Sequence, residues 1–191
     1  MNTPTLSIAI VLGCITNQTV GAVVNTCNEF LRPNKGNVCI GIHNAAGSLL
    51  SDAVFEAAKD YFINAGEVPI GVAIVTPGFN LNVPIVHVVA PRGNDLPKLR
   101  AAYLAAFNAL AGMEIPSAAL PLIGTGMGGA DPLVSAQAAE EALAEFAATY
   151  DGEGTLPTLL LVVKDEAIYK ALREAKGGAL VQAPLQEALS A

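Results

Sequence analysis

Six short apolar runs, at residues 7–12, 22–25, 71–76, 84–89, 118–123 and 158–164, constrain this chain more than any other feature of its sequence. They are rich in Ile, Val and Leu with few polar alternations, as strands are when both faces of their sheet are covered. Segments of helical period separate them. Residues 52–65 put Val54, Phe55, Ala58 and Phe62 on one stripe and stop before Gly66. Residues 96–111 do the same through Leu99, Tyr103, Phe107 and Leu110, opened by Asp95. Asp131 and Pro132 supply the N-cap and first-turn proline of a third helix, and a fourth runs from Asp165 through Ile168 and Leu172 to Gly177-Gly178. This alternation predicts an α/β sandwich around a largely buried sheet. No linker, repeat or low-complexity block divides the 191 residues, so they read as one domain over 1–191, with its core at about 6–176 and a short tail at 177–191.

Runs this apolar also raise a membrane alternative, since 52% of the residues are hydrophobic, 14% are charged and the mean hydropathy is +0.48. The 24-residue stretch 68–91 lacks acids and bases, but Pro69, Pro77, Pro84, Asn80, Asn82 and His87 interrupt it, so no bilayer span is expected. The first charged residue is Glu29, and the run 6–12 therefore lacks the basic flank of a secretory signal and reads as a buried strand. A net charge of -7, with ten scattered Lys and Arg, offers nothing to neutralise a phosphate backbone and argues against duplex nucleic acid. Cys14, Cys27 and Cys39 are odd in number and contain no C-x-x-C, which fits reduced thiols, small buried hydrophobes in a cytoplasmic protein.

Two segments carry chemistry. In Gly124-Thr125-Gly126-Met127-Gly128-Gly129, four glycines lie between a buried strand and a helix start. Such a loop can turn several backbone N–H groups into one concavity where the helix dipole also favours negative charge, and it reads as a phosphate cradle; a tight strand-to-helix turn is the alternative. The six residues match G-x-G-x-x-G, yet they do not follow the first strand and the helix opens only at Pro132, so a dinucleotide fingerprint fits poorly. The second segment is Asn25-Thr26-Cys27-Asn28, leading into a loop over 29–37. Asparagine both donates and accepts, which suits vicinal ribose hydroxyls, although it is also a common turn residue.

Taken with Gly13-Cys14-Ile15-Thr16, Val38 to Gly47, Thr76-Pro77-Gly78-Phe79-Asn80-Leu81, His87-Val88-Val89-Ala90-Pro91 and Pro121 to Pro132, these segments resemble the macro domain, a family that binds ADP-ribose. The likeness covers nearly residues 7–175, and the stretch from Pro121 to Pro132 is similar to viral, coronavirus-type members. The resemblance implies a three-layer α/β/α sandwich with a mixed, mostly parallel sheet and a cleft over the strand ends. It implies that Asn28 holds the distal ribose, that Asn25 and Gly36 belong to the same site, and that amides of Val38 and of the loop from Gly124 through Thr125, Gly126, Met127 and Gly128 to Gly129 surround the diphosphate. The Ile15 backbone would meet the adenosine. The implied partner is ADP-ribose or an ADP-ribosylated protein, with no cofactor and no metal, and the chain is expected to be a monomer in the cytoplasm, that of the host if it is viral.

The chain also departs from the family pattern. Cys14 stands where an aspartate usually accepts from the adenine amino group, Lys164 where an aromatic often packs on the base, and Gly128 where an aromatic often covers the distal ribose. The family's glycine run has become Asn34-Lys35-Gly36-Asn37, one residue longer, and the aspartate after it has become Cys39. A family mechanism that needs that aspartate is therefore closed to this chain. One in which a phosphate-held water attacks the anomeric carbon needs mainly positioning, which Asn28 could supply, with Glu29 the only carboxylate nearby. The expectation is a binder of ADP-ribose or a related nucleotide diphosphate. A slow ADP-ribosyl hydrolase or O-acetyl-ADP-ribose deacetylase, and a degenerate fold serving protein interaction, are the alternatives. His43 and His87 have no metal-ligand spacing with the cysteines and read as core or strand-end residues.

Overall fold

The computed structural model describes residues 8–33, 37–150 and 156–175. Among them the strands are β1 (Ile8–Leu12), β2 (Ala22–Cys27), β3 (Ala73–Thr76), β4 (Ile85–Val89), β5 (Ser117–Pro121) and β6 (Thr158–Val163). The helices are α1 (Asn37–Ala46), α2 (Leu49–Ala65), α3 (Leu96–Ala111), α4 (Pro132–Thr149) and α5 (Glu166–Ala175). The strands form one sheet in the order β1-β6-β5-β2-β4-β3, parallel except where β3 runs antiparallel to β4.

Side chains alternate across this sheet, and both faces are apolar because both are covered. Val24, Val86, Val88, Leu120, Leu159 and Leu161 pack against α3, α4 and Leu172 of α5. Val23, Ile85, Val89, Ala119 and Val162 pack against α1 and α2. The result is the three-layer α/β/α sandwich with a mixed, mostly parallel sheet. The same alternation sends Asn25 and Cys27 of β2, and His87 of β4, toward α1.

Local signals end the helices as read from the sequence. Gly66 adopts φ +77° and returns its N–H to Phe62 O, while Asp95 and Asp131 accept the N–H groups of Lys98 and Leu133. Asp165 accepts from Ala167 and Ile168 at the start of α5. The expected stop at Gly177-Gly178, Ser7 and the tail lie outside the described residues.

Other boundaries differ. α1 occupies 37–46, where a loop to Asn37 and no helix were expected; Val38, Ile40, Gly41 and Asn44 are poor helix formers, and burial of Ile42 and Ala46 on the sheet outweighs that preference. α2 begins at Leu49 rather than 52, and its buried stripe is Leu50, Val54 and Ala58. Phe55 is 51% exposed and instead stacks on Phe62, with ring centroids 5.8 Å apart. β2 continues to Cys27, which pairs with Val89, and β5 stops at Pro121 because the Ile123 N–H bonds the Tyr103 hydroxyl instead of a strand. Among the described residues no single helix is long and apolar enough to cross a membrane.

Candidate functional site

From β2 the chain crosses to the β4-β3 side of the sheet, and from β5 it crosses to β6, so the connections diverge between neighbouring strands. A crevice outside the carboxyl ends of the strands at such a switch point is where open α/β sheets bind ligands. A cleft of about 580 Å³ lies there, lined by Thr26 to Glu29 at the end of β2, Pro121 and Leu122 at the end of β5, and Val163 to Asp165 at the end of β6.

The glycine loop forms one wall. Gly124 needs a positive φ of +83°, and Gly129 one of +71°. The loop is pinned by Ala130 N–H to Gly124 O at 2.9 Å and by Gly93 N–H to Gly128 O at 2.7 Å. Gly128 has no room for a side chain, because a Cβ would stand 2.5 Å from Gly124 O and 2.6 Å from Pro91 O. That packing explains the glycine where an aromatic was expected by resemblance. Thr125 is turned inward: its hydroxyl donates to Leu122 O at 2.9 Å, and its amide points to the same carbonyl at 3.4 Å. The amides of Gly126, Met127 and Gly128 make no hydrogen bond to another described residue, and all three residues line the cleft. Met127 is 67% exposed at its rim. Unpaired amides in a concavity at the start of α4 can hold anionic oxygens.

Opposite stands Asn28, whose Oδ1 accepts from Phe30 N–H at 3.0 Å and Arg32 N–H at 3.3 Å, while Nδ2 donates to Arg32 O at 3.2 Å. The side chain ties its own loop, and among the described residues one of its amide protons has no partner. Val38, in the first turn of α1, lines the cleft, as does Lys164 at its far end; Gly36 lies outside the described residues.

The structure puts three other candidates elsewhere. Cys14 caps a short 3-10 turn at Ile15–Asn17 beyond β1, its thiol 3.2 Å from the Thr16 hydroxyl, which draws its pKa down. Ile15 is buried in the core beneath α1 and α2. Neither is part of the cleft lining, and neither is Asn25, which is fully buried behind it. Asn25 Nδ2 donates to His87 Nδ1 at 3.1 Å and to Cys39 Sγ at 3.7 Å. Because Nδ1 accepts, His87 carries its proton on Nε2 and donates it to Thr76 Oγ1 at 2.9 Å. Burial, with His43 adding positive charge nearby, drives the His87 pKa down to about 3.

Sequence reasoning missed several lining residues. Arg32 and Arg92 face the cleft, and an arginine directly after the strand-end Ala90-Pro91 was the available signal for the second. Cys27 and Cys39 also line it, with sulfurs 3.5 Å apart. The Cys27 S–H donates to Cys39, whose pKa falls as a result, helped by His43 one turn along α1 and by Asn25, whereas the Cys27 thiol is held above its usual range by that same bond and by burial. Among the described residues no group of three His, Cys, Asp or Glu side chains is placed to hold a metal ion.

Known proteins share this architecture. The chain is 32% identical over 172 residues to an O-acetyl-ADP-ribose deacetylase of Klebsiella pneumoniae, covering 85% of this chain and 94% of that one. It is 32% identical over 171 residues to an ADP-ribose glycohydrolase of Bos taurus, covering 85% of this chain but spanning only 50% of the bovine protein. An Oceanobacillus iheyensis macrodomain variant, solved with ADPR, superposes with a TM-score of 0.78 at 29% identity, covering 91% of this chain and 94% of that one. The Macro domain family model matches residues 24–139, and this chain belongs to the macro domain family.

Proposed function

We propose that the cleft binds ADP-ribose, free or carried on a protein. The observation that carries this reading is the wall of amides at Gly126, Met127 and Gly128, without partners among the described residues, in a cleft that Arg32 and Arg92 also line and that is large enough for a nucleotide. Fixed amide dipoles and two guanidinium groups suit a diphosphate even in a protein of net charge -7. Relatives named for acting on ADP-ribose or its O-acetyl ester support the same ligand. In this reading the distal ribose lies against Asn28, and the adenosine end extends past Val163 toward Lys164 and Ile168. The protein acts as a monomer and needs neither nucleic acid nor membrane.

Calorimetry with ADP-ribose, AMP and ribose 5-phosphate tests it. Binding of ADP-ribose, with both fragments weaker, is the expected result. No heat from any of them would leave protein interaction as the role of the fold. Slow hydrolysis of an ADP-ribosyl adduct is the second reading, favoured because Asn28 and Glu29 line the same end of the cleft. Release of ADP-ribose from a mono-ADP-ribosylated protein separates it from binding alone.

A further inference from the structure

Behind the ribose end of the cleft, β2 and α1 bring two thiols together. Cys27 is the last residue of β2 and Cys39 lies in the first turn of α1, and their sulfurs stand 3.5 Å apart without a bond. Each residue is only 4% exposed, yet both open on the cleft, so a small solute that enters it reaches them. Asn25 Nδ2 donates to Cys39 Sγ at 3.7 Å, a contact that favours the thiolate. Burial and the 3.5 Å contact with Cys39 hold the Cys27 thiol above its usual range, which favours its keeping the proton.

We infer that Cys27 and Cys39 are a modification site: a dithiol that a hydroperoxide converts to a disulfide, with weakened binding in the adjoining cleft. The Cys39 thiolate attacks one oxygen of hydrogen peroxide and the O–O bond breaks, giving Cys39 sulfenic acid and a hydroxide that takes up a proton. The Cys27 sulfur then attacks the Cys39 sulfur, the S–O bond breaks, and the departing hydroxide leaves as water with the Cys27 proton. The two thiols lose two electrons, and the peroxide becomes two waters.

The bond requires the sulfurs to close from 3.5 Å to about 2.05 Å. β2 is held on both sides, by β4 and by β5, so the first turn of α1 is the element free to shift. Val38, next to Cys39, and Asn28, next to Cys27, both line the cleft. The disulfide therefore alters the wall at its ribose and phosphate end. This coupling rests on the ADP-ribose reading, whereas formation of the bond does not.

The test treats the full chain with one equivalent of hydrogen peroxide, maps the thiols by alkylation and mass spectrometry, and titrates ADP-ribose before and after. The expected result is a peptide pair joined through Cys27 and Cys39 with two hydrogens lost, affinity lower by about tenfold or more, and recovery with dithiothreitol. In Cys27→Ser the Cys39 sulfenic acid should persist and be trapped by dimedone, and Cys39→Ser should show neither product. Free thiols at both positions after treatment overturn the site, and a disulfide with unchanged affinity overturns its coupling to the cleft. If the reduced protein fails to bind ADP-ribose, the reading of the cleft falls, and the joined peptides still decide the dithiol.

Discussion

The Tyr103 hydroxyl lies 2.9 Å from Ser135 Oγ in the fully buried layer beneath the glycine loop, linking α3 to α4. Ser135 donates to Ile123 O at 2.8 Å, which leaves its oxygen to accept from Tyr103; Tyr103 in turn accepts the Ile123 N–H at 2.9 Å. Between β5 and the loop, both polar groups of Ile123 are thus answered from below. Burial pushes the Tyr103 pKa up to about 12, so the hydroxyl stays neutral and able to donate.

Tyr103→Phe should therefore destabilise the protein by about 1–3 kcal/mol, since it leaves the buried Ile123 N–H and one Ser135 lone pair without partners. The urea midpoint should fall with an unchanged slope, and ADP-ribose binding should weaken as the loop loosens. An unchanged midpoint would mean that water or a shifted Ser135 replaces the hydroxyl. A double-mutant cycle with Ser135→Ala measures how far the two act as a unit.

The loop glycines should respond differently to substitution. Beyond its chain neighbours, Gly126 has no atom of a described residue within 4 Å of where its Cβ would stand, so Gly126→Val should keep the fold while filling the space a phosphate needs, abolishing ADP-ribose binding. Gly128→Ala forces a Cβ against two backbone oxygens and should lose thermal stability as well as binding. Equal affinity of Gly126→Val and the parent would show that the ligand does not approach this loop.

What could be read from the sequence was local. Asp95, Asp131, Pro132 and Gly66 each act within one helical turn, and the structure uses them as caps. α1 could not be read because its formation depends on burying Ile42 and Ala46 against strands distant in sequence. The glycine loop stood out by composition alone, whereas Asn25 did not reveal its place: only the strand parity of β2, fixed by its neighbours, turns it toward His87 and away from the cleft. The pairing of Cys27 with Cys39 was hidden for the same reason, since it depends on how α1 lies across the sheet.

His87 should make stability pH-dependent. Its folded pKa, about 3, is below the ordinary value near 6.5, so the unfolded chain binds a proton first as pH falls. The contribution is fully present above about pH 6.5 and is lost as pH drops toward 3, at a limiting slope of about 1.4 kcal/mol per pH unit. A second proton would also set Nδ1–H against the Asn25 amide donor. Urea unfolding from pH 7 to 4 should show this slope in the parent and a shallower one in His87→Leu, whatever that variant's stability at neutral pH. Identical slopes would assign the acid sensitivity to carboxylates.

Catalysis, if present, should depend on Asn28 in two separable ways. Its Oδ1 orders the 28–32 loop, and the residue lines the cleft with one amide proton that has no partner among the described residues, so Asn28→Ala removes both the loop tie and the proposed ribose contact. Asn28→Asp keeps the acceptor for the Phe30 and Arg32 amides but offers the ribose no donor. With Cys39 in place of a carboxylate and no glycine run before it, single-turnover release of ADP-ribose from a mono-ADP-ribosylated acidic side chain should be slow in the parent. Both variants should lower it further, because an orienting contact contributes mainly to the barrier. Asn28→Asp, which loses only the Arg32 O contact of the loop tie, should do so with a smaller fall in thermal stability than Asn28→Ala. Release that is rapid and survives both substitutions would remove Asn28 from the reaction and leave Glu29 as the residue to replace next.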